Sequence, residues 1–314
     1  MLTKILQILL IAMLSSFTSK SQKIQHINLA DPTIFVHQNI FYLYGTGENT
    51  SDGSFKAYTS TDGKAWVDKG VVLKKGEAFG SKGFWAPQVF EYKNKFYMAY
   101  VANENIAIAK SDSPLGPFTQ EEKVAIKSPV RMIDPFVFFD QGKIYLYHVR
   151  LDAGNRIFVA EMKDDLSSLK ENTLKECINA SDFWENTQKA EWPVAEGPTV
   201  FKRNQKYYLF YSANDFRNPD YAVGYATSDN PIGPWKKYNH NPVLSKKQTG
   251  KNGSGHGDFF TGKDGKLNYV FHTHESNLKT GKRKTAVISA AFVKDKNQNE
   301  YLKTDSSSFQ YLYK

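Results

Sequence analysis

Ala195-Glu196-Gly197-Pro198-Thr199-Val200-Phe201, followed by Lys202-Arg203-Asn204-Gln205-Lys206 and then Tyr207-Tyr208-Leu209-Phe210-Tyr211, reads as strand, tight turn and strand. Proline has no amide N–H to give a sheet, so Pro198 belongs at the first residue of a strand, at an edge or at a bulge. Asn204-Gln205 supply the turn, and the aromatic run after them has strand composition. Glu196 therefore lies at the mouth of a strand.

The same phrase recurs. Asp31-Pro32-Thr33-Ile34-Phe35 leads to Phe41-Tyr42-Leu43-Tyr44, Trp85-Ala86-Pro87-Gln88-Val89 to Phe96-Tyr97-Met98-Ala99-Tyr100, and Asp134-Pro135-Phe136-Val137 to Ile144-Tyr145-Leu146-Tyr147. In each copy a tyrosine stands ten positions after the proline: Tyr42, Tyr97, Tyr145 and Tyr208. A fifth copy, His256-Gly257-Asp258-Phe259-Phe260, crosses Asp264-Gly265 to Leu267-Asn268-Tyr269-Val270-Phe271 without a proline, and Asp258 is aligned with the prolines. Most copies continue into further β-type runs that end in turn phrases such as Ser111-Asp112-Ser113-Pro114-Leu115-Gly116-Pro117-Phe118 and Ser228-Asp229-Asn230-Pro231-Ile232-Gly233-Pro234-Trp235. Units of roughly 40–50 residues with four strands each mark the blades of a propeller. The expectation is an all-β, five-bladed β-propeller. A β-sandwich would also give many short strands, but not one phrase repeated around the chain.

The rest of the chain sets bounds on this fold. Met1 to Ser21 carries Lys4, the apolar run Ile5 to Leu14 and a small-residue end, the pattern of a secretory signal peptide. That run is too short for a transmembrane helix. The expectation is a single propeller domain over residues 22–314, exported to the periplasm or beyond, with no membrane insertion. The formal net charge of +9 is spread along the sequence, without the clustered Lys and Arg of a nucleic-acid stripe. Cys177 is the sole cysteine, so no internal disulfide forms, and the core must rest on 22 Phe, 18 Tyr and 5 Trp. Lys163 to Lys175 reads as a surface excursion, and residues 24–29 are expected to close the ring against 309–313.

In a propeller the first strand of each blade lines the central channel, so repeat-equivalent residues converge there. Asp31, Asp134 and Glu196 stand immediately before, or two before, the proline of blades one, three and four. One Asp-Pro is ordinary turn chemistry. Three acids converging on one pocket cost free energy unless something uses them. Two carboxylates suit glycoside hydrolysis, in which one protonates the leaving oxygen and the other acts on the opposite face of the sugar, while a third sets the acid's pKa.

With these motifs the chain resembles glycoside hydrolase family 43, five-bladed propellers acting on arabinose and xylose linkages, over essentially the whole region after the leader. The resemblance implies that Asp31, within Asp31-Pro32-Thr33, is the general base. It implies that Asp134, within Arg131-Met132-Ile133-Asp134-Pro135, modulates a pKa, and that Glu196, within Glu196-Gly197-Pro198, is the general acid. The implied reaction inverts the anomeric centre, for which the acid and base stand about 6.5–9.5 Å apart. Gly253-Ser254-Gly255-His256 resembles the family element whose histidine contacts a largely hydrated cation on the channel axis, usually calcium (Ca2+). The implied partner is an arabinose- or xylose-containing glycan, and no organic cofactor is called for.

Sugars also need aromatic platforms and hydrogen-bond donors. Trp85, with Phe84 beside it, is the stacking candidate, Arg150 and Arg283 are candidate substrate contacts, and of the alternating His272 and His274 the latter is taken to face the pocket. A sugar-binding propeller without turnover would tolerate loss of an acid, and a purely structural one would converge none.

Overall fold

The computed structural model describes residues 25–47 and 53–314; the signal-peptide expectation falls outside them. Five antiparallel sheets form the blades, each running outward from its first strand. Blade one is β1 (Ala30–His37), β2 (Ile40–Thr46), β3 (Ser54–Ser60) and β4 (Val67–Lys74). Blade two is β5 (Trp85–Tyr92), β6 (Lys95–Ala102) and β7 (Asn105–Ser111). Blade three is β8 (Met132–Asp140), β9 (Lys143–Leu151), β10 (Asn155–Glu161) and β11 (Lys175–Ile178). Blade four is β12 (Ala195–Arg203), β13 (Lys206–Ala213), β14 (Ala222–Ser228) and β15 (Lys236–Lys237). Blade five is β16 (Gly255–Thr261), β17 (Leu267–Thr273), β18 (Lys284–Lys294) and β19 (Glu300–Tyr311).

Strands β1, β5, β8, β12 and β16 pack side by side around the axis, each against the next and the last against the first. Four of the five blades have the expected four strands; blade two has three. The Lys163 to Lys175 excursion holds turns and a short 3₁₀ segment, Glu171–Thr173.

Local chemistry explains the hairpins. The turns Gln38-Asn39, Lys93-Asn94, Gln141-Gly142 and Asn204-Gln205 hold both central residues at positive φ, the geometry whose twist matches paired strands. Buried apolar residues form five clusters, one at each junction between neighbouring blades. Buried tyrosines tie these junctions: the Tyr44 hydroxyl of β2 donates to the Pro114 carbonyl of blade two, and that of Tyr147 in β9 to the Pro231 carbonyl of blade four. The proline-rich turn phrases are thus docking points for the preceding blade.

The ring closes as expected. Ile27 N donates to Leu312 O at 2.9 Å and Lys314 N to Gln25 O at 2.9 Å, while Ile27, Leu29, Val287 and Leu312 share one buried cluster.

Candidate active site

At the axial end of every inner strand the register shifts: between Ala30 and Thr33, Trp85 and Gln88, Ile133 and Phe136, Glu196 and Thr199, and Gly255 and Gly257. Each shift carries one residue at positive φ: Asp31 (48°), Ala86 (44°), Asp134 (53°), Gly197 (60°) and His256 (44°). Left-handed backbone is uncommon for residues with a Cβ and clusters where a site demands it. A bulge also re-aims side chains at the end of a strand. The repeated phrase is therefore a repeated bulge. Asp31, Asp134 and His256 are true equivalents, while Glu196 stands one residue earlier, in the place of Trp85. The fifth copy aligns on Gly257, one residue ahead of the Asp258 alignment expected from sequence. Proline is unavailable there because the chain runs against its neighbour: a Cβ on Gly257 would lie 1.8 Å from Val270 O.

These bulges open onto a cavity of about 780 Å³ whose lining includes Asp31, Trp85, Asp134, Glu196, His256 and Arg283. Asp31 is the most heavily tied. Its Oδ2 accepts from the Thr46 hydroxyl at 2.6 Å, its backbone N–H donates to His272 Nδ1 at 3.1 Å, and His256 Nδ1 lies 3.2 Å from its Oδ1. Burial pushes this carboxyl up, but His256, Arg283, His272 and the Thr46 hydroxyl outweigh it and hold Asp31 below the usual aspartate range. Asp134 lies across the same imidazole, its Oδ2 3.8 Å from His256 Nδ1, and it accepts from Gly197 N at 3.0 Å. Burial, then the charge of Asp31, pushes Asp134 up to about 8.

Glu196 is buried, with both oxygens engaged: Oε1 accepts from the Tyr221 hydroxyl at 2.8 Å and Oε2 from Asn155 Nδ2 at 2.9 Å. Burial, then the neighbouring Asp134, pushes it up to about 8. The cavity therefore joins one carboxyl held ionised to one held protonated, the condition for concerted base and acid chemistry at neutral pH.

The other candidates divide. Trp85 and Arg283 line the cavity, and the Arg283 guanidinium sits 4.6 Å over the Phe216 ring. Phe84 does not line it. Adjacent strand residues point to opposite faces, and Phe84 is fully buried in the junction between blades one and two, stacked on Tyr100 at 5.8 Å. Arg150 is also turned away, its guanidinium 5.4 Å over Phe158 and 3.5 Å from the Ser128 hydroxyl; Arg131, the strand neighbour of its partner Met132, reaches the cavity instead. His274 is buried behind the wall, where its Nε2 meets Phe216 O at 2.8 Å. His272, inside β17, is the histidine that touches Asp31, whereas His274 lies one residue beyond the strand.

Calcium takes six to eight oxygen ligands. His256 brings one ring nitrogen to the carboxylates, and among the described residues no group of three His, Cys, Asp or Glu is placed to hold a metal ion. The residues present thus offer a largely hydrated cation only His256 and no protein-built cage, and the His256 ring lies against Asp31 and Asp134.

Sequence reading passed over Thr46, Asn155, Trp192 and Tyr221, and preferred His274 to His272. Trp192 had a signal, since Glu191-Trp192-Pro193 precedes β12 much as Phe84-Trp85 opens β5; the hydrogen-bonding Asn155 and Tyr221 had none.

Residues 23–296 match the family model described as Glycosyl hydrolases family 43. A solved structure titled endo-1,4-beta-xylanase from Bacteroides thetaiotaomicron is 42% identical with a TM-score of 0.83, covering 90% of this chain and 96% of that one. A thermostable family-43 glycoside hydrolase is 35% identical with a TM-score of 0.78, covering 88% and 92%. A xylosidase/arabinosidase 43A of Humicola insolens is 29% identical, covering 61% of this chain and 74% of the relative. With these matches over the five bulges and their acids, the chain belongs to glycoside hydrolase family 43.

Proposed function

We propose that the protein is an exported, inverting glycosidase that releases terminal α-L-arabinofuranosyl residues from plant cell-wall polysaccharides or oligosaccharides. The observation that carries the glycosidase reading is that Asp31 and Glu196 line one cavity in surroundings that push the first carboxyl down and the second up. Asp31 takes a proton from water as the water oxygen attacks the anomeric carbon. The glycosidic bond breaks at the same time, and its oxygen leaves with the proton of Glu196. Asp134 keeps a second carboxyl beside the acid and grips the backbone that follows it through Gly197 N. Trp85 offers the sugar a face, and Arg283 and His256 hold Asp31 ionised. No step runs through a metal ion. Nucleic acid is not a partner in this reading, the site being lined by carboxylates where phosphates would have to lie.

A second reading, β-D-xylosidase action on xylan-derived chains, draws support from similar proteins described as a xylosidase/arabinosidase and an endo-1,4-beta-xylanase. Incubation with the 4-nitrophenyl glycosides of α-L-arabinofuranose and β-D-xylose separates the two. Faster turnover of the arabinoside is expected, and turnover of the xyloside alone would move the assignment to the second reading. Intact recovery of every glycoside tested, with binding retained, would mark a sugar-binding propeller instead.

A further inference from the structure

The cavity has two indoles, and only one belongs to the sequence-level site. Trp85 sits on the base side: Ala86 N donates to Thr46 Oγ1 at 2.9 Å, and the same hydroxyl donates to Asp31. Trp192 sits on the acid side. Its Nε1 donates to Asn155 Oδ1 at 2.8 Å, and Asn155 Nδ2 donates to Glu196 Oε2 at 2.9 Å. The order of this relay is dictated chemically. An indole N–H can only donate, so it takes the amide oxygen and leaves the amide NH₂ to face the carboxyl.

Its backbone is fixed as well. Asn155 N donates to Pro193 O at 2.9 Å, and Gly154, at φ 125°, lies so close that a Cβ there would come within 2.7 Å of that carbonyl. Trp192 is nevertheless 49% exposed while lining the cavity, so a large apolar face stands open beside a buried polar relay. An aromatic with one wet face and a hydrogen-bonded edge is a sugar platform.

Resting on Glu196 as the general acid, we propose that Trp192 is the stacking platform for the sugar on the leaving-group side and that Asn155 couples this platform to the acid as a positioning residue. The acid protonates the oxygen between the two sugars, so the sugar nearest Glu196 beyond that oxygen is the leaving one. As Glu196 gives up its proton, the Asn155 N–H bond to Oε2 becomes a bond to a carboxylate and strengthens, so the relay favours the transition state over the ground state. A sugar seated on Trp192 holds the indole, the indole holds the amide, and the amide holds the acid. The substrate class implied is an oligosaccharide, with at least one ring beyond the bond that is cut.

The test compares two substrates of one glycone: a natural oligosaccharide, whose leaving group is a sugar, and the glycosyl fluoride, whose leaving group has no ring and needs little protonation. Trp192→Ala is expected to raise KM for the oligosaccharide about tenfold and to change the fluoride less. Trp192→Phe keeps a face and loses the N–H: KM is expected to stay within about twofold, while kcat on the oligosaccharide falls about tenfold. Asn155→Ala is expected to share that kcat loss, again larger than on the fluoride, and to move the alkaline limb of the oligosaccharide pH profile upward, because a donor to the ionised acid is gone. A merely structural residue would depress both substrates equally and leave the limb in place, and that result overturns the proposal. So does an unchanged oligosaccharide KM in Trp192→Ala. Glu196→Gln, run alongside, separates the two layers. Greater loss on the oligosaccharide than on the fluoride upholds the acid assignment, so that failure of the relay variants then rejects the relay alone, whereas equal loss on both rejects the acid assignment and the relay with it.

Discussion

Asp31 and Glu196 are both buried carboxyls, yet their surroundings drive them apart. Asp31 has two imidazoles, a guanidinium and a hydroxyl against it, which outweigh burial; for Glu196 burial and then the charge of Asp134 outweigh His256 and the Tyr221 hydroxyl. The proposed reaction uses the first ionised and the second protonated, so kcat/KM is expected to hold through neutral pH and fall as pH rises through about 8. The acid limb belongs below the usual aspartate range, where Asp31 gains a proton. Because the three acids interact, the limbs report the set and not one residue. Asp31→Asn is expected to cost roughly 10³-fold or more in kcat on natural and activated glycosides alike, since water must be activated whatever departs. A loss confined to the natural substrate would assign Asp31 the other role. The acids themselves were legible because each abuts a proline or glycine in a repeated phrase. Phe84 and Arg150 were misplaced because each stands one residue from a side chain that lines the cavity, Trp85 and Leu151, and His274 because it lies just past β17, two residues beyond the His272 that touches Asp31; which face or depth a residue takes is set by registers that composition does not reveal.

The functional element is the bulge that ends each inner strand. It places an unusual backbone conformation at Asp31, Asp134 and His256, which lets three strands of different blades aim polar groups at one axis. At Gly197 the same conformation meets a second demand, because a Cβ there would lie 2.8 Å from the His256 ring. Gly197→Ala therefore combines a left-handed alanine, costing roughly 1–2 kcal/mol, with displacement of the imidazole between Asp31 and Asp134. Thermal melting and kinetics are expected to show a Tm lower by a few degrees and a kcat loss larger than that stability change implies. Unaltered kcat at a lowered Tm would show that His256 has no part in the chemistry. From sequence the proline-centred phrase announced a strand start, but not the register shift within it. The offset of Glu196, two residues before its proline where the aspartates stand one before, was visible in the sequence; that it puts Glu196 in the place of Trp85 on the bulge was not.

Across the whole molecule, five junction clusters and one terminal clasp hold the ring, and the repeat makes this architecture legible in the sequence. Among the described residues, blade two departs from the pattern in having three strands. Loss of residues 309–314 removes the clasp hydrogen bonds and Leu312 from the junction of blades one and five. A fall in Tm of roughly 10 °C or more is expected by calorimetry, whereas an unchanged melt would show that the ring closes without it. The site also costs the fold stability. Glu196 and Asp134 bind protons more tightly folded than unfolded, so stability falls as pH rises from the ordinary carboxyl range toward about 8. Glu196→Gln keeps the shape and both partners, the Tyr221 hydroxyl turning to accept. The variant is expected to melt a few degrees above the parent at pH 8 and level with it near pH 4. A constant difference across that range would mean Glu196 is not held protonated.

In the proposed reaction water, activated by Asp31, attacks the sugar directly while Glu196 protonates the departing oxygen. Proton NMR of the first sugar released, recorded before mutarotation, tests it on whichever arabinoside or xyloside is turned over. The expected first product carries the anomeric configuration opposite to that of the substrate. A first product with the substrate's own configuration would require a covalent intermediate and would contradict the roles assigned to Asp31 and Glu196.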